Sequence, residues 1–346
     1  MFEFWPPALF YTPVALYIGW LMLRFRGITL PTAVNPRIFA GGLVGESKAD
    51  ILDLVEGEAR ADLPRYRRFT PAVAPAEHTL EAALECLRAA DIGWPCVAKP
   101  DIGERGAGVR RIESQSELAD YLARFPRTGR ILFQELVTEP GEAGVLVIRP
   151  PSASRARIFS LTLKVFPEVV GDGLRTLGEL IDDDPRARRL RRLYRSRHRA
   201  RLADVIDAGA TVPLVFAGNH CQGTVFKNGN GLITSALEAR FDALASRIPE
   251  LQFARFDVRF ADQGDFLAGG PFKIIEINGA GAEATHIWDA DMGLWQAYTT
   301  LWEQWREVFA IGAENRRAGH APMPLPELLT ALRHRDRLRR TYPSTD

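Results

Sequence analysis

Residues 253–260, Phe-Ala-Arg-Phe-Asp-Val-Arg-Phe, and residues 272–278, Phe-Lys-Ile-Ile-Glu-Ile-Asn, alternate apolar and charged side chains on either side of a Gly-containing connection. Successive side chains on a strand point to opposite faces, so the two runs read as an antiparallel hairpin with one buried face. Arg255, Asp257 and Arg259 then share one face, and Glu276 and Asn278 share one face of the partner strand. Phe256, Val258, Ile275 and Ile277 point the other way. Two carboxylates and an amide carbonyl are hard oxygen donors suited to Mg²⁺, which takes few protein ligands and fills its shell with substrate phosphates. On the pattern alone, an edge hairpin with solvated charges fits equally well.

The 346 residues carry 44 Lys and Arg against 43 Asp and Glu, so no bulk charge draws the chain to nucleic acid. Its length suits one large domain or two to three small ones. Cys86, Cys96 and Cys221 are too few and too scattered for a disulfide framework or a zinc site, which points to a reducing, cytoplasmic setting. The His220-Cys221 pair reads as a small buried hydrophobe and its neighbour, in preference to a nucleophile.

Residues 6–23 contain no charge and are closed by Arg24 and Arg26. Such a run sits at the lower length limit for a spanning helix; Pro13 would kink it, and Trp5, Tyr11, Tyr17 and Trp20 suit the headgroup level. The segment is expected to cross a membrane, to lie in its interface, or to pack as a core or oligomer contact. A cleaved signal fits less well, because no basic residue precedes the run and no small-x-small site follows it. If it spans, the two arginines keep the rest of the chain at the inner face of the cytoplasmic membrane.

Residues 27–36 read as a Pro-punctuated linker, and Ser47-Lys48-Ala49-Asp50 as a capping box opening a helix to about residue 61. The preceding Gly41-Gly42-Leu43-Val44-Gly45-Glu46 lacks the Gly-Lys-Ser/Thr order of a phosphate loop. Further on come a helix at 78–91, a strand at 95–100, a glycine-rich loop at 103–109, a strand at 109–112, a helix at 116–125, and strands at 130–136, 145–149 and 157–164. The pattern is α+β with mainly antiparallel strands. Residues 186–201 hold nine arginines. They read as a solvated helix with Leu190, Leu193 and Tyr194 as its buried stripe, or as a site for anionic lipid or an acidic substrate; no recognition motif favours nucleic acid. A long amphipathic helix is expected at 291–317, with Leu294, Tyr298, Leu301, Trp302, Trp305 and Phe309 in its stripe, and a basic helix at 325–340.

Val97-Ala98-Lys99-Pro100 before the glycine loop, Phe133-Gln134-Glu135-Leu136, Lys164, and the Asp257/Glu276/Asn278 hairpin together resemble the ATP-grasp superfamily. The run Val169-Val170-Gly171-Asp172-Gly173-Leu174-Arg175-Thr176-Leu177-Gly178-Glu179-Leu180-Ile181 is similar to the Val-Gly-Asp-Gly-x-x-Thr-x-x-Glu-Leu-Ile signature of cyanophycin synthetases and related carboxylate–amine ligases, the D-alanine–D-alanine ligase-like enzymes among them. The resemblance covers about residues 78–310. It implies an ATP-grasp fold, two α+β subdomains closing on the nucleotide within residues 76–310. An apolar helix in 1–27 and a short segment, 28–75, would precede it, and a basic helix and tail, 311–346, would follow.

It also implies roles. Lys99 contacts the α- and β-phosphates, and Gly103, Arg105, Gly106 and Gly108 belong to the loop that covers them. Glu135 and Leu136 flank adenine, Glu142 takes the ribose hydroxyls, and Lys164 meets the phosphates. Asp257, Glu276 and Asn278 hold Mg²⁺ or Mn²⁺, two ions in all. Gly218-Asn219-His220 to Gly223 closes on the site. Arg65, Arg67 or Arg68 assists Lys99. Arg255 and Arg259 either hold a substrate carboxylate and the later oxyanion or simply balance the acids. His286, Trp288 and Asp289 are substrate-contact candidates. The activity implied is ATP-dependent joining of a small-molecule carboxylate to an amine through an acyl phosphate. A kinase or thiol ligase of the same fold, and a membrane-bound nucleotide-binding protein without turnover, are the alternatives.

Overall fold

The computed structural model describes residue 2 and residues 5–71, 76–104, 106–216, 218 and 223–343. Helix α1 (Pro7–Arg24) begins with a proline at a position whose N–H has no intrahelical partner in any case. Its Phe10, Val14 and Leu21 are buried. Helix α2 (Lys48–Asp53) is capped by the Ser47 side chain, which accepts from the Asp50 N–H. It stops at Asp53 instead of running to about residue 61: Gly57 turns the chain at φ +60°, and a separate 3-10 turn, Gly57–Asp62, follows.

Strand β1 (Tyr66–Phe69), helix α3 (Ala76–Ala89), strands β2 (Cys96–Pro100) and β3 (Arg110–Ile112), helix α4 (Gln115–Arg124) and strand β4 (Ile131–Glu135) build the first layer pair. The sheet is antiparallel in the order β1-β4-β2-β3. Helices α3 and α4 cover one face, with Ala83, Leu87, Leu118 and Tyr121 packed on Cys96, Ala98, Ile131 and Phe133. Lys99 and Gln134 belong to the other face, where they meet.

Strands β5 (Gly141–Ile148) and β6 (Arg157–Val165) start a second sheet, interrupted by a small unit of β7 (Glu168–Val170), α5 (Leu177–Asp183), α6 (Arg191–Arg197) and β8 (Thr211–Pro213). The sheet resumes with β9 (Val225–Asn228), α7 (Ser235–Ser246), β10 (Phe253–Phe260), α8 (Gln263–Leu267) and β11 (Lys273–Asn278), giving the antiparallel order β11-β10-β5-β6-β9. Leu237, Phe241 and Leu244 of α7 pack on Val145, Val147, Phe256, Val258 and Ile274. Each such side chain contributes about 1.5–3 kcal/mol when fully buried. The chain ends with α9 (Leu294–Arg317) and α10 (Leu325–Thr341). Mixed α+β architecture and antiparallel pairing are as the sequence predicts.

The signature at 169–181 is a fold determinant. Asp172 Oδ1 accepts from the N–H groups of Leu174 and Arg175, Gly173 sits at φ +77°, and Thr176 and Glu179 form a reciprocal capping box on α5. The arginine run splits into a 3-10 turn, Ala187–Leu190, and α6, with Tyr194 buried and Arg195 paired to Asp182.

One expectation is narrowed and one corrected. No helix among the described residues is long and apolar enough to cross a membrane; of the alternatives for α1, packing is seen, since it lies along α9, where Phe10 and Val14 pack with Tyr298 and Leu301 and Leu21 with Phe309. Residues 27–36 are not a linker. Leu30, Val34 and Asn35 are fully buried, and Asn35 donates to the carbonyls of Gly41 and Phe253 while accepting from the N–H groups of Gln252 and Phe253. Its prolines and threonines hid a segment that fills the space between α9 and the second sheet. A Cβ on Gly312 of α9 would lie 2.3 Å from the Leu30 carbonyl oxygen. Gly312→Ala is therefore expected to destabilise the fold by about 1–3 kcal/mol, the usual cost of overpacking a close contact; an unchanged denaturation midpoint would contradict this packing.

Candidate active site

The two sheets enclose a cavity of about 580 Å³ lined by Lys99 and Gln134 on one side and by Glu142, Lys164, Arg255, Asp257, Arg259, Glu276 and Asn278 on the other. The hairpin register explains the second set. Asp257 pairs directly with Glu276 and Arg255 with Asn278, so the charges meet on one face, as the alternation predicts. The register then shifts between Asp257 and Val258, which pairs with Ile274. Ile275 is thus the extra residue of a bulge, and bulges re-aim side chains. Ile274 takes the core position expected of Ile275, and Ile275 lines the cavity instead.

Asp257 accepts from Lys164 Nζ at 3.1 Å, from Arg255 Nε and Nη2 at 3.1 and 3.0 Å, and from Asn278 Nδ2 at 3.2 Å. Burial alone would push its pKa up, but Arg255 and Lys164 outweigh burial and hold it at about 2. Lys164 also donates to Glu142 at 2.8 Å, and its pKa is raised because Asp257 and Glu142 overcome the opposing effect of burial. Lys99 donates to Gln134 Oε1 at 2.8 Å and to the Ile275 carbonyl at 2.9 Å. Neither partner is charged, and burial lowers its pKa to about 8. Glu276 stays below its ordinary value because Lys48 and Lys99 overcome burial.

Several expected residues stand elsewhere or do other work. Glu142 is buried between Lys164 and Arg259, whose Nε lies 3.0 Å from Oε2, so its carboxylate is engaged in ion pairs at the cavity floor. Arg259 also donates to the carbonyls of Val137 and Glu139 and lies over the Phe166 ring. Glu135 and Leu136 line the cavity, but the Glu135 carboxylate is taken by Arg65. Arg65 and Arg68 pair with Glu135, Asp91 and Asp50, away from Lys99. Gly103 and Gly106 line the cavity, and Gly106 and Gly108 both hold φ +72°, a conformation that favours glycine. Arg105, Asn219, His220 and Cys221 lie outside the described residues. Gly218 is described, and a Cβ there would sit 2.2 Å from Glu142 Oε1. Of the late candidates, Trp288 lines the cavity. His286 is buried against Ser160 at 2.6 Å with its pKa pushed down to about 4 by burial, and Asp289 caps the Asn228 N–H.

Sequence reasoning missed the contribution of the N-terminal segment. Lys48 donates to the Gly103 carbonyl and lies 3.3 Å from Glu276, tying the glycine loop to the hairpin. Glu46, also at the cavity, has a buried Oε2 without a hydrogen-bond partner among the described residues, and burial raises its pKa. Trp5, Pro7 and Tyr11 wall the far end; the Tyr11 hydroxyl and the Trp288 indole each donate to Glu283 at 2.7 Å. The α10 side contributes Arg335, 3.7 Å from Glu104 in the loop, and Tyr342, which donates to the Ile102 carbonyl. The only signal of this in the sequence was a glycine-rich stretch ending in Lys48.

Among the described residues no three His, Cys, Asp or Glu side chains surround one point. Asp257, Glu276 and Asn278 supply oxygen only, from facing positions on β10 and β11, and one or two carboxylates suffice for Mg²⁺ when phosphates complete its shell.

No family model and no curated protein matches the chain. Among solved structures, it is similar to a bifunctional glutathione synthetase from Pasteurella multocida (13% identity, TM-score 0.36, 76% of this chain and 38% of that one). It is also similar to the ATP-grasp ligase PsnB complexed with minimal precursor (17%, 0.37, 75% and 60%) and to the VanG D-Ala:D-Ser ligase from Enterococcus faecalis (14%, 0.41, 77% and 62%). The chain spans less than two thirds of the length of each. At such low identity and TM-score these likenesses add nothing to the argument from geometry.

Proposed function

We propose that this protein uses ATP to activate a small-molecule carboxylate and joins it to an amine. The observation that carries this reading is the convergence, in one cavity between two sheets, of two buried lysines with the Asp257/Glu276/Asn278 hairpin beneath a glycine loop. Phosphoryl transfer needs alignment and charge neutralisation more than covalent help from the protein, and those are what these residues supply. Lys99 and Lys164 neutralise the polyphosphate, and Gly103 and Gly106, which line the cavity, bring backbone beside it. Asp257, Glu276 and Asn278 would hold Mg²⁺, which when bound supplies further neutralisation of phosphate charge.

In this reading a carboxylate oxygen of the first substrate attacks the γ-phosphorus, and ADP leaves. The amine then attacks the acyl carbon, phosphate leaves with the former carboxylate oxygen, and the amine loses a proton. Arg255, which lines the cavity while paired to Asp257, is placed to orient the carboxylate. Arg259 acts as a positioning residue through Glu142 and the carbonyls at 137 and 139. Closure of the loop, held by Lys48 and Tyr342, would keep water from the activated acyl group.

Hydroxylamine intercepts an acyl phosphate as a hydroxamate. With Mg-ATP and a panel of carboxylates, hydroxamate is expected for some panel members in the native protein and in neither Asp257→Asn nor Glu276→Gln. Hydroxamate formation that persists unchanged in both variants would sink the assignment of the hairpin.

A further inference from the structure

Helix α1 is apolar on every side yet covered on one only. Leu9, Leu16, Trp20 and Leu23 remain 58%, 72%, 52% and 80% exposed. The face continues onto α9 through ring contacts: Trp20 to Tyr17 at 5.4 Å, Tyr17 to Trp302 at 5.7 Å, and Trp302 to Trp295 at 5.3 Å, with Trp295 itself 68% exposed. A helix that is hydrophobic all round belongs in a core or against lipid, and a contiguous exposed apolar patch marks an interaction surface.

Charge at the rim selects the partner. Arg24 and Arg26 are exposed at the end of α1, and Arg316 of α9 holds the carbonyls of Phe25 and Arg26 there, beside the exposed Arg317. The acids flanking Trp295 in sequence are both paired, Asp291 with Lys227 and Glu303 with Arg306. Tryptophan and tyrosine favour the headgroup level of a bilayer, and a row of arginines beside them complements anionic lipid.

We propose that this face rests on an anionic lipid surface, with α1 lying in the plane of the interface and the cavity end built by Trp5 and Tyr11 close to it. The proposal is independent of the ligase reading.

The test is flotation of the full chain with vesicles of phosphatidylcholine, with and without phosphatidylglycerol. The protein is expected to float with the anionic vesicles and less with the neutral ones, and added salt should weaken the preference. Leu16→Glu with Trp20→Glu is expected to lower partitioning at least about tenfold, given the apolar area each change removes from the contact, with circular dichroism unaltered. Should that pair disturb folding, Leu23→Glu, at the most exposed of these positions, gives the same readout. Absence of flotation in the native protein overturns the proposal. So does self-association without lipid that the same substitutions abolish, which would make the face a contact between two copies.

Discussion

Asp257→Asn is expected to cost both turnover and stability, whereas Glu276→Gln costs turnover with little loss of stability. Asp257 is 4% exposed and receives Lys164, Arg255 and Asn278 at once. Neutralising it leaves Lys164 and Arg255 in a shielded site without their shared partner, Lys164 balanced by Glu142 and Arg255 by Glu276 and Glu283 without an ion pair. Breaking a buried pair in this way costs about 3–5 kcal/mol. The contribution is pH-dependent with a definite sign. The folded pKa, about 2, lies below the ordinary value of 3.8, so the stabilisation is complete above that ordinary value and disappears as pH falls through about 2. Glu276 sits at the cavity margin, its side chain 28% exposed and paired with Lys48, so its loss is felt mainly where phosphate charge must be balanced. Either change is expected to lower kcat/KM by about a hundredfold or more, the usual scale for removing one electrostatic contact to the transition state. Denaturation midpoints and steady-state rates of the two variants separate the effects; equal stability losses would contradict the placement of Asp257 as the buried hub.

Lys99→Met is expected to reduce nucleotide affinity and turnover by about a hundredfold or more, and to remove a pH dependence that the native protein shows. Among the described residues Lys99 bonds only to an amide oxygen and a backbone carbonyl, and its folded pKa, about 8, lies below the ordinary value of 10.5. Between those values the unfolded chain binds the proton more tightly than the folded one, so native stability rises with pH across the window relative to Lys99→Met. Below about pH 8 the full penalty for the charge is present. Affinity of the free protein for ATP should accordingly weaken as pH rises through about 8, and Lys99→Arg, which stays charged, should flatten that profile. Calorimetric titration across this range checks both; a native profile no steeper than that of Lys99→Arg would contradict a buried lysine with neutral partners.

Much of the second sheet was legible because its residues obey a period of two. The alternation of Arg255, Asp257 and Arg259 with Phe256, Val258 and Phe260 assigns each side chain to a face, and Arg255 and Asp257 meet Asn278 and Glu276 on the charged one. The bulge at Ile275 was not legible, since one extra residue in a run of two isoleucines changes no composition. Helix α9 followed from its apolar spacing. What covers α1 did not, because a helix apolar on all sides does not say which side is covered. Residues 27–36 look like a linker because proline and threonine mark turns whether these are solvated or buried, and the backbone groups of Phe253 that Asn35 bonds lie 218 residues away in sequence. Lys48 and Glu46 reach the cavity from an irregular stretch with no periodicity to read. Lys99, Lys164, Glu142 and the acidic hairpin all line one cavity, but the ion pairs that engage Glu142 depend on the facing strands β6 and β10, which no local pattern shows.

The proposed reaction requires transfer of a carboxylate oxygen to the γ-phosphorus. Carboxylates that yield hydroxamate should be labelled with ¹⁸O in the carboxyl group and turned over with Mg-ATP and an amine, and the released phosphate analysed by mass. Activation as an acyl phosphate predicts phosphate carrying a single ¹⁸O from the substrate. Unlabelled phosphate, or label recovered in AMP, would contradict it.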